Sequence, residues 1–112
     1  MTELEKLFAG ITRIGDYNIN MDFDNDEITQ LLDADIIKAA DISQWRASDL
    51  LIDGIIDYEQ YPFEKFSAYE QLRQLEHNAI SLEDFVKQAD FDIFDDEEKA
   101  WFKELEEERY GN

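Results

Sequence analysis

The sequence predicts a mainly α-helical fold of the α+β class: a compact bundle of about five helices with a short N-terminal β-hairpin or single strand. Several segments begin with a residue that can cap a helix and continue with apolar side chains three and four residues apart. One segment near the N-terminus instead alternates apolar and polar residues. Hydrophobic residues make up 44% of the chain and aromatic residues 13%. This apolar content is sufficient for a folded core, so we predict one domain, 1–112, without an internal repeat.

Capping-box patterns predict where the helices begin. Thr2 with Glu5 opens a short first helix that Gly10 ends, and Asp24 with Glu27 opens the next. Later helices are expected to begin at Ser43, Ser67, Ser81 and either Asp95 or Asp96. Pro62 is expected to end the helix from Ser43 or to lie just past its end, and Gly111 to close the last helix. The helix from Ser43 is expected to run to Tyr58 and, because its apolar arc is widest, to be the most buried.

A strand is predicted between the first two helices. Tyr17, Ile19, Met21 and Phe23 alternate with polar residues, which is typical of a strand with one exposed face. A turn at Gly15 would allow residues 11–14 to pair with this strand as a hairpin.

The charge is the most unusual property of the sequence. The net charge is -19, from 29 Asp and Glu against 10 Lys and Arg, and the acids extend through the whole chain. A compact domain of this length has a radius of gyration of ~13 Å. A DNA duplex carries the same 19 charges over ~32 Å. A compact fold would therefore match a duplex in negative charge per unit length.

Two acidic rows are expected on the surface. Asp49, Asp53 and Asp57 are four residues apart, which places them on one exposed side of the predicted helix. The second row consists of Asp22, Asp24, Asp26, Glu27, Asp33 and Asp35. Each row has two interpretations: a binding surface for a cationic partner, or the solvated face of a very soluble protein.

Aromatic residues cluster around Pro62 and have two interpretations as well. They either anchor the core and its loops, or form an interface hot spot within an acidic rim. If the acidic rows and this cluster bind a partner, the predicted partner-binding residues are Asp22, Asp24, Asp26, Asp33, Asp49, Asp53, Asp57, Tyr58, Glu59 and Tyr61.

No pattern in the sequence indicates catalysis or a bound cofactor. Cysteine is absent and His77 is the only histidine. Residues 22–26 resemble the start of a calcium loop, but Glu27 occupies the glycine position and Asp33 the position of the bidentate Glu. We therefore expect no enzyme activity, no specific metal site and no cofactor. The acidic N-terminus and the lack of a long apolar run predict neither a secretory signal nor a membrane span, so we expect a cytoplasmic protein.

These observations favour a stoichiometric inhibitor that mimics nucleic acid and occupies the basic groove of a nuclease or another DNA- or RNA-handling enzyme. In size and charge the chain resembles small acidic DNA mimics of phages and mobile elements, including anti-restriction and anti-CRISPR proteins. The resemblance is one of composition. The alternative is an immunity protein or antitoxin that neutralises one basic toxin, such as a nuclease. A third possibility is a structural or regulatory protein that is simply very soluble. We expect a basic nucleic-acid-binding protein as partner, with no direct contact to nucleic acid or membrane; whether the chain is a monomer or a dimer stays open.

Overall fold

The computed structural model describes residues 1–110 as a helical protein. The α-helices are α1 (Glu3–Phe8), α2 (Ile19–Asp22), α3 (Asn25–Asp33), α4 (Gln44–Ile52), α5 (Ala68–Glu76), α6 (Leu82–Gln88) and α7 (Asp96–Tyr110). Short 3₁₀ turns lie at Ile14–Asp16, Ala39–Asp41, Phe63–Lys65 and Phe91–Ile93. The mainly helical character agrees with the prediction. Gly111, which was expected to close the last helix, lies outside the described residues.

The predicted N-terminal hairpin or strand is wrong, because residues 1–110 contain no strand. The alternating segment instead folds into α2, a single helical turn. The Asp22 N–H donates to the Asn18 carbonyl (2.8 Å), and the Asp22 carboxylate accepts from the Asn18 N–H (2.7 Å). Phe23 is buried in the core, whereas Met21 is 78% exposed. A local side-chain hydrogen bond has therefore outweighed the period-two pattern.

Four helices end in the same way, at a residue with positive φ. These residues are Gly10 (φ 76°), Asp35 (φ 57°), Gly54 (φ 78°) and Asn78 (φ 64°). After α3, for example, the Asp35 N–H donates to the Leu32 carbonyl and the Ile36 N–H to the Leu31 carbonyl. The same pair of bonds closes α1, α4 and α5, and together they form the Schellman motif, which satisfies the free carbonyls of a helix end.

The segment after each positive-φ residue also recurs. Three residues later, a backbone N–H donates to a side chain one turn ahead: Arg13 to Asp16, Lys38 to Asp41 and Asp57 to Gln60. In the fourth case the Ser81 hydroxyl accepts from the Asp84 N–H and starts α6.

A helix, a Schellman motif and a turn closed by a side chain thus recur four times, and we call residues 10–16, 35–41, 54–60 and 78–84 the repeat units. The sequence itself predicted no internal repeat. The units begin at different intervals along the sequence, so no fixed period marks them.

Neighbouring helices run parallel. Near the start of both α4 and α5, the Gln44 side chain accepts from the Ser67 N–H (2.7 Å). Further along, the Gln74 amide donates to the Ser48 hydroxyl (2.8 Å). Because the contacts advance in the same direction on both helices, the two helices point the same way.

The same orientation extends to the helices on either side. Tyr69 and Trp101 lie in the first half of α5 and α7, with ring centroids 5.5 Å apart, and Arg109 at the end of α7 donates to Asn78 after α5 (2.7 Å). At the other side, Arg46 at the start of α4 donates to Asn25 at the start of α3 (2.7 Å). The helices α3, α4, α5 and α7 thus form a parallel ladder.

The ladder makes the molecule elongated. Its extents are 54 × 24 × 21 Å and its radius of gyration is 16.8 Å, so the expected compact bundle is wrong. Two hydrophobic cores follow each other along the long axis: one extends from Leu4 to Phe66 and the other from Phe63 to Leu105. Tyr58 packs against both cores and therefore lies at their junction.

Candidate partner-binding surface

The acidic side chains point to solvent and are seldom paired with bases. All but five of the 29 acids are exposed; Glu27, Asp49, Glu98 and Glu106 are half-buried and Glu70 is buried. Within residues 1–110, ion pairs join Lys6 to Glu3, Arg73 to Asp49 and Glu70, and Lys87 to Glu83. Most of the negative charge is therefore not neutralised within the described chain.

Many of these acids have a structural role in capping short helices and turns. The carboxylates that accept a backbone N–H belong to Glu5, Asp16, Asp22, Asp24, Glu27, Asp41, Asp57, Asp90, Asp95 and Glu98. A fold with so many helix starts needs many such acceptors, since the first N–H groups of a helix have no partner inside it. Capping alone thus explains part of the acidic composition.

The predicted row Asp49, Asp53 and Asp57 is wrong as a helical row. The helix α4 ends at Ile52 rather than near Tyr58, because Gly54 takes a positive φ and closes it. Asp49 is half-buried and bonded to Arg73 (2.8 Å). Burial alone would lower the pKa of Arg73, but its hydrogen bonds to Asp49 and to Glu70 raise it overall. Asp49 therefore joins α4 to α5, and only Asp53 and Asp57 of this row are exposed.

The second predicted row is divided between the two ends of α3. Asp22 and Asp24 cap α2 and α3, and Asp26 lies in the first turn of α3, where a negative charge is favourable. Asp33 and Asp35 lie at the opposite end of the same helix. Within the described residues, no group of three or more potential metal ligands is close enough to hold an ion.

Exposed acids follow the C-terminal ends of α3 and α4, where a helix does not favour negative charge. We define the acidic edge as Asp33, Asp35, Asp53, Asp57 and Glu59, all exposed, which lie at the ends of α3 and α4 or in the segments that follow them. Neither helix has a basic residue in its last turn. Since the C-terminus of a helix carries a partial negative charge, the potential at each of these two helix ends adds to that of its carboxylates. The edge is therefore well placed for a cation.

A groove of ≈ 310 Å³ lies beside the acidic edge, between the second and third repeat units. Its lining consists of Leu32, Asp35, Ile37, Lys38, Ala39, Ala40 and Gln60. Gln60 is held in place by Asp57, whose N–H donates to the Gln60 amide oxygen (3.1 Å) and whose carboxylate accepts the Gln60 N–H (3.1 Å). The groove thus connects residues from the ends of α3 and α4 that are distant in sequence.

The aromatic cluster around Pro62 belongs mostly to the core. Phe63 and Phe66 are buried, and Tyr58 and Tyr61 are half-buried. The Tyr58 hydroxyl donates to Gln74 (2.8 Å), and burial raises the pKa of Tyr58 to about 12. Tyr58 and Tyr61 are therefore mainly structural, although both adjoin Glu59 of the acidic edge.

Two other aromatic side chains are exposed, although each belongs to a helix that packs on the core. Trp45 of α4 is 46% exposed, and Tyr69 of α5 is 56% exposed. Trp45 also stacks against the Arg46 guanidinium, 4.6 Å from the ring centroid. The direction of Trp45 depends on the packing of α4 against its neighbours, which the apolar pattern alone does not give.

No family model, curated protein or solved structure matches the chain. In the part that the structure describes, none of the helices combines the length and apolar character that crossing a bilayer requires.

Proposed function

We propose that this chain is a protein inhibitor that binds the basic nucleic-acid groove of a nuclease or another DNA- or RNA-handling enzyme. It would act by stoichiometric competition with nucleic acid and would need no cofactor or catalytic activity of its own. The observation that supports this proposal most directly is the acidic edge: Asp33 and Asp53 lie at the negative ends of α3 and α4, and Asp35, Asp57 and Glu59 follow them, all exposed.

Electrostatics favour a cationic protein as the partner. Carboxylates that repel one another in the free protein gain attraction when a row of Lys and Arg approaches, which increases the association rate as well as specificity. The predicted site residues Asp33, Asp53, Asp57 and Glu59 belong to this surface. The acids at the other end of α3, Asp22, Asp24 and Asp26, would contribute mainly to the overall field.

The elongated shape changes the comparison with DNA. With 19 net charges over 54 Å, the chain carries one charge per ~2.8 Å, whereas a duplex carries one per ~1.7 Å. The mimicry is therefore less dense than a compact fold would give. The apolar part of a contact in the groove beside the acidic edge can supply affinity that salt does not screen.

The test is a competition experiment on a partner taken from the host. The immobilised protein is incubated with host lysate, and retained proteins are identified by mass spectrometry. Each retained protein is then purified, and its binding to labelled duplex DNA is measured as this protein is added. We expect a basic nucleic-acid-binding protein to be retained, and its DNA to be displaced when one inhibitor molecule is present per DNA-binding site.

The same experiment separates this proposal from its alternative. A single retained toxin that still binds DNA in the complex would indicate an immunity protein that acts away from the groove. If no basic protein is retained, the inhibitor proposal is wrong. A variant with Asp53→Lys and Asp57→Lys should lose the partner. The control variant, Glu83→Lys with Asp84→Lys, makes the same charge change on α6 and should bind the partner more tightly than the first variant does.

A further inference from the structure

The groove between the second and third repeat units combines an apolar floor with a charged rim. Leu32, Ile37 and Ala39 supply the apolar part, and Asp35 and Gln60 supply polar groups. Pockets for small-molecule ligands have volumes of roughly 300 to 1,000 Å³ and enclose most of the ligand. At ≈ 310 Å³ and open to solvent, this groove suits a single side chain presented by a protein.

Charge complementarity defines which side chain fits. Asp35 lines the groove, and Asp57 is hydrogen-bonded to the lining residue Gln60. Asp33 and Glu59, both exposed, are the sequence neighbours of the lining residues Leu32 and Gln60. A long basic side chain has an aliphatic stem that can lie on apolar atoms and a cationic end that stays at a polar rim. An acidic or purely apolar side chain would satisfy only one of these two features.

We propose that this groove is the docking site for an Arg or Lys side chain of the partner protein, with the stem on Leu32, Ile37 and Ala39 and the cation at Asp35. This inference rests on the proposed function, because it assumes a cationic partner. Lys38 also lines the groove, and no ion pair holds it among the described residues. Its ammonium group opposes a basic ligand, so its removal should strengthen binding.

The experiment measures binding of a fluorescein-labelled oligo-arginine peptide by fluorescence anisotropy. Ala40→Trp fills the groove without changing the charge, and Ala100→Trp places the same side chain on α7; both alanines are exposed. We expect Ala40→Trp to weaken binding about tenfold and Ala100→Trp to leave it unchanged. Lys38→Ala should bind more tightly than Lys65→Ala, which removes an equal charge from another exposed lysine, in the 3₁₀ turn Phe63–Lys65. Circular dichroism checks that each variant is folded.

The outcomes separate the groove from the proposed function. If Ala40→Trp binds the peptide as well as Ala100→Trp does, the groove is not the docking site, while long-range attraction to a basic enzyme stands. If the groove variants behave as expected but no retained enzyme releases DNA, the docking site stands and the inhibitor proposal fails. If the unmodified chain does not bind the peptide, the docking site is wrong, and the competition experiment alone decides the inhibitor proposal.

Discussion

At the scale of single residues, two neighbouring carboxylates show how structural acids differ from surface acids. Asp24 accepts the Glu27 N–H (2.8 Å) and caps α3, whereas Asp26 is exposed in the first turn of the same helix. Loss of a helix cap costs about 1 kcal/mol, and a favourable charge near a helix start contributes a few tenths. We therefore predict that Asp24→Ala lowers the free energy of unfolding by about 1 kcal/mol and Asp26→Ala by less than half of that. Urea denaturation measures both, and each variant controls for the lost charge of the other. Equal losses would show that the capping bond is not stabilising.

Tyr58 gives a prediction for alkaline pH. Burial raises its pKa to about 12 from an unfolded value near 10. Below pH ~10 the phenol is neutral in both states, but between pH ~10 and ~12 only the unfolded chain releases the proton, so stability falls as pH rises. Tyr58→Phe should make this fall smaller.

The same substitution should also lower stability at neutral pH by about 1 to 3 kcal/mol, because Gln74 in the core loses its donor. Tyr69→Phe, at an exposed ring, is the control for both effects. Unfolding curves at neutral and alkaline pH measure them. If stability falls equally at alkaline pH in Tyr58→Phe and in the unmodified chain, Tyr58 is not the group that causes the fall.

At the scale of elements, the Schellman motifs predict substitutions of opposite sign. Gly54 has a positive φ, and a Cβ added there would meet no atom within 4 Å, so Gly54→Ala is unfavourable only through its backbone conformation. We expect it to lower the free energy of unfolding by about 1 kcal/mol. Asp35 has the same conformation with a side chain, so Asp35→Gly should raise stability by up to ~1 kcal/mol. Asp35→Asn removes the charge but still tolerates this conformation, and therefore separates the two effects. Chemical denaturation that gives both substitutions the same sign would contradict this prediction.

Elements that depend on nearby residues were predictable from the sequence, and those that depend on packing were not. The caps at Thr2, Asp24 and Ser81 are as expected, because the bond reaches only three residues along the chain. Gly54 was predicted to lie inside a helix, because apolar residues at helical spacing continue beyond it. The strand was predicted from only four alternating pairs of residues. In the structure, the Asn18 N–H donates to the Asp22 carboxylate, and the segment forms a helical turn instead.

The candidate site was predictable only in part, for a related reason. Asp33, Asp53, Asp57 and Glu59 were predicted from charge alone, and the structure shows that all four are exposed. The groove was not predictable, because it joins two repeat units whose spacing differs from that of their neighbours. Only the parallel packing of the helices brings Gln60 near Asp35.

At the scale of the whole molecule, length and charge together predict how salt affects binding. The logarithm of affinity for a nucleic-acid groove falls linearly with the logarithm of salt concentration, with a slope set by the number of charges neutralised. A duplex of about 16 base pairs has the 54 Å length of this protein but carries roughly 32 phosphate charges, against 19 net charges here.

For one partner enzyme, we therefore predict a shallower salt dependence for this protein than for that duplex. Anisotropy titrations of the same enzyme with the labelled duplex and with the labelled protein, over one series of salt concentrations, give both slopes. Ala40→Trp should lower affinity and reduce the slope only slightly, because it displaces a single basic side chain whose stem contact is apolar. Asp53→Asn with Asp57→Asn should reduce the slope more, because it removes two charges from the acidic edge. A slope as steep as that of the duplex would mean that the enzyme neutralises acids well beyond the acidic edge.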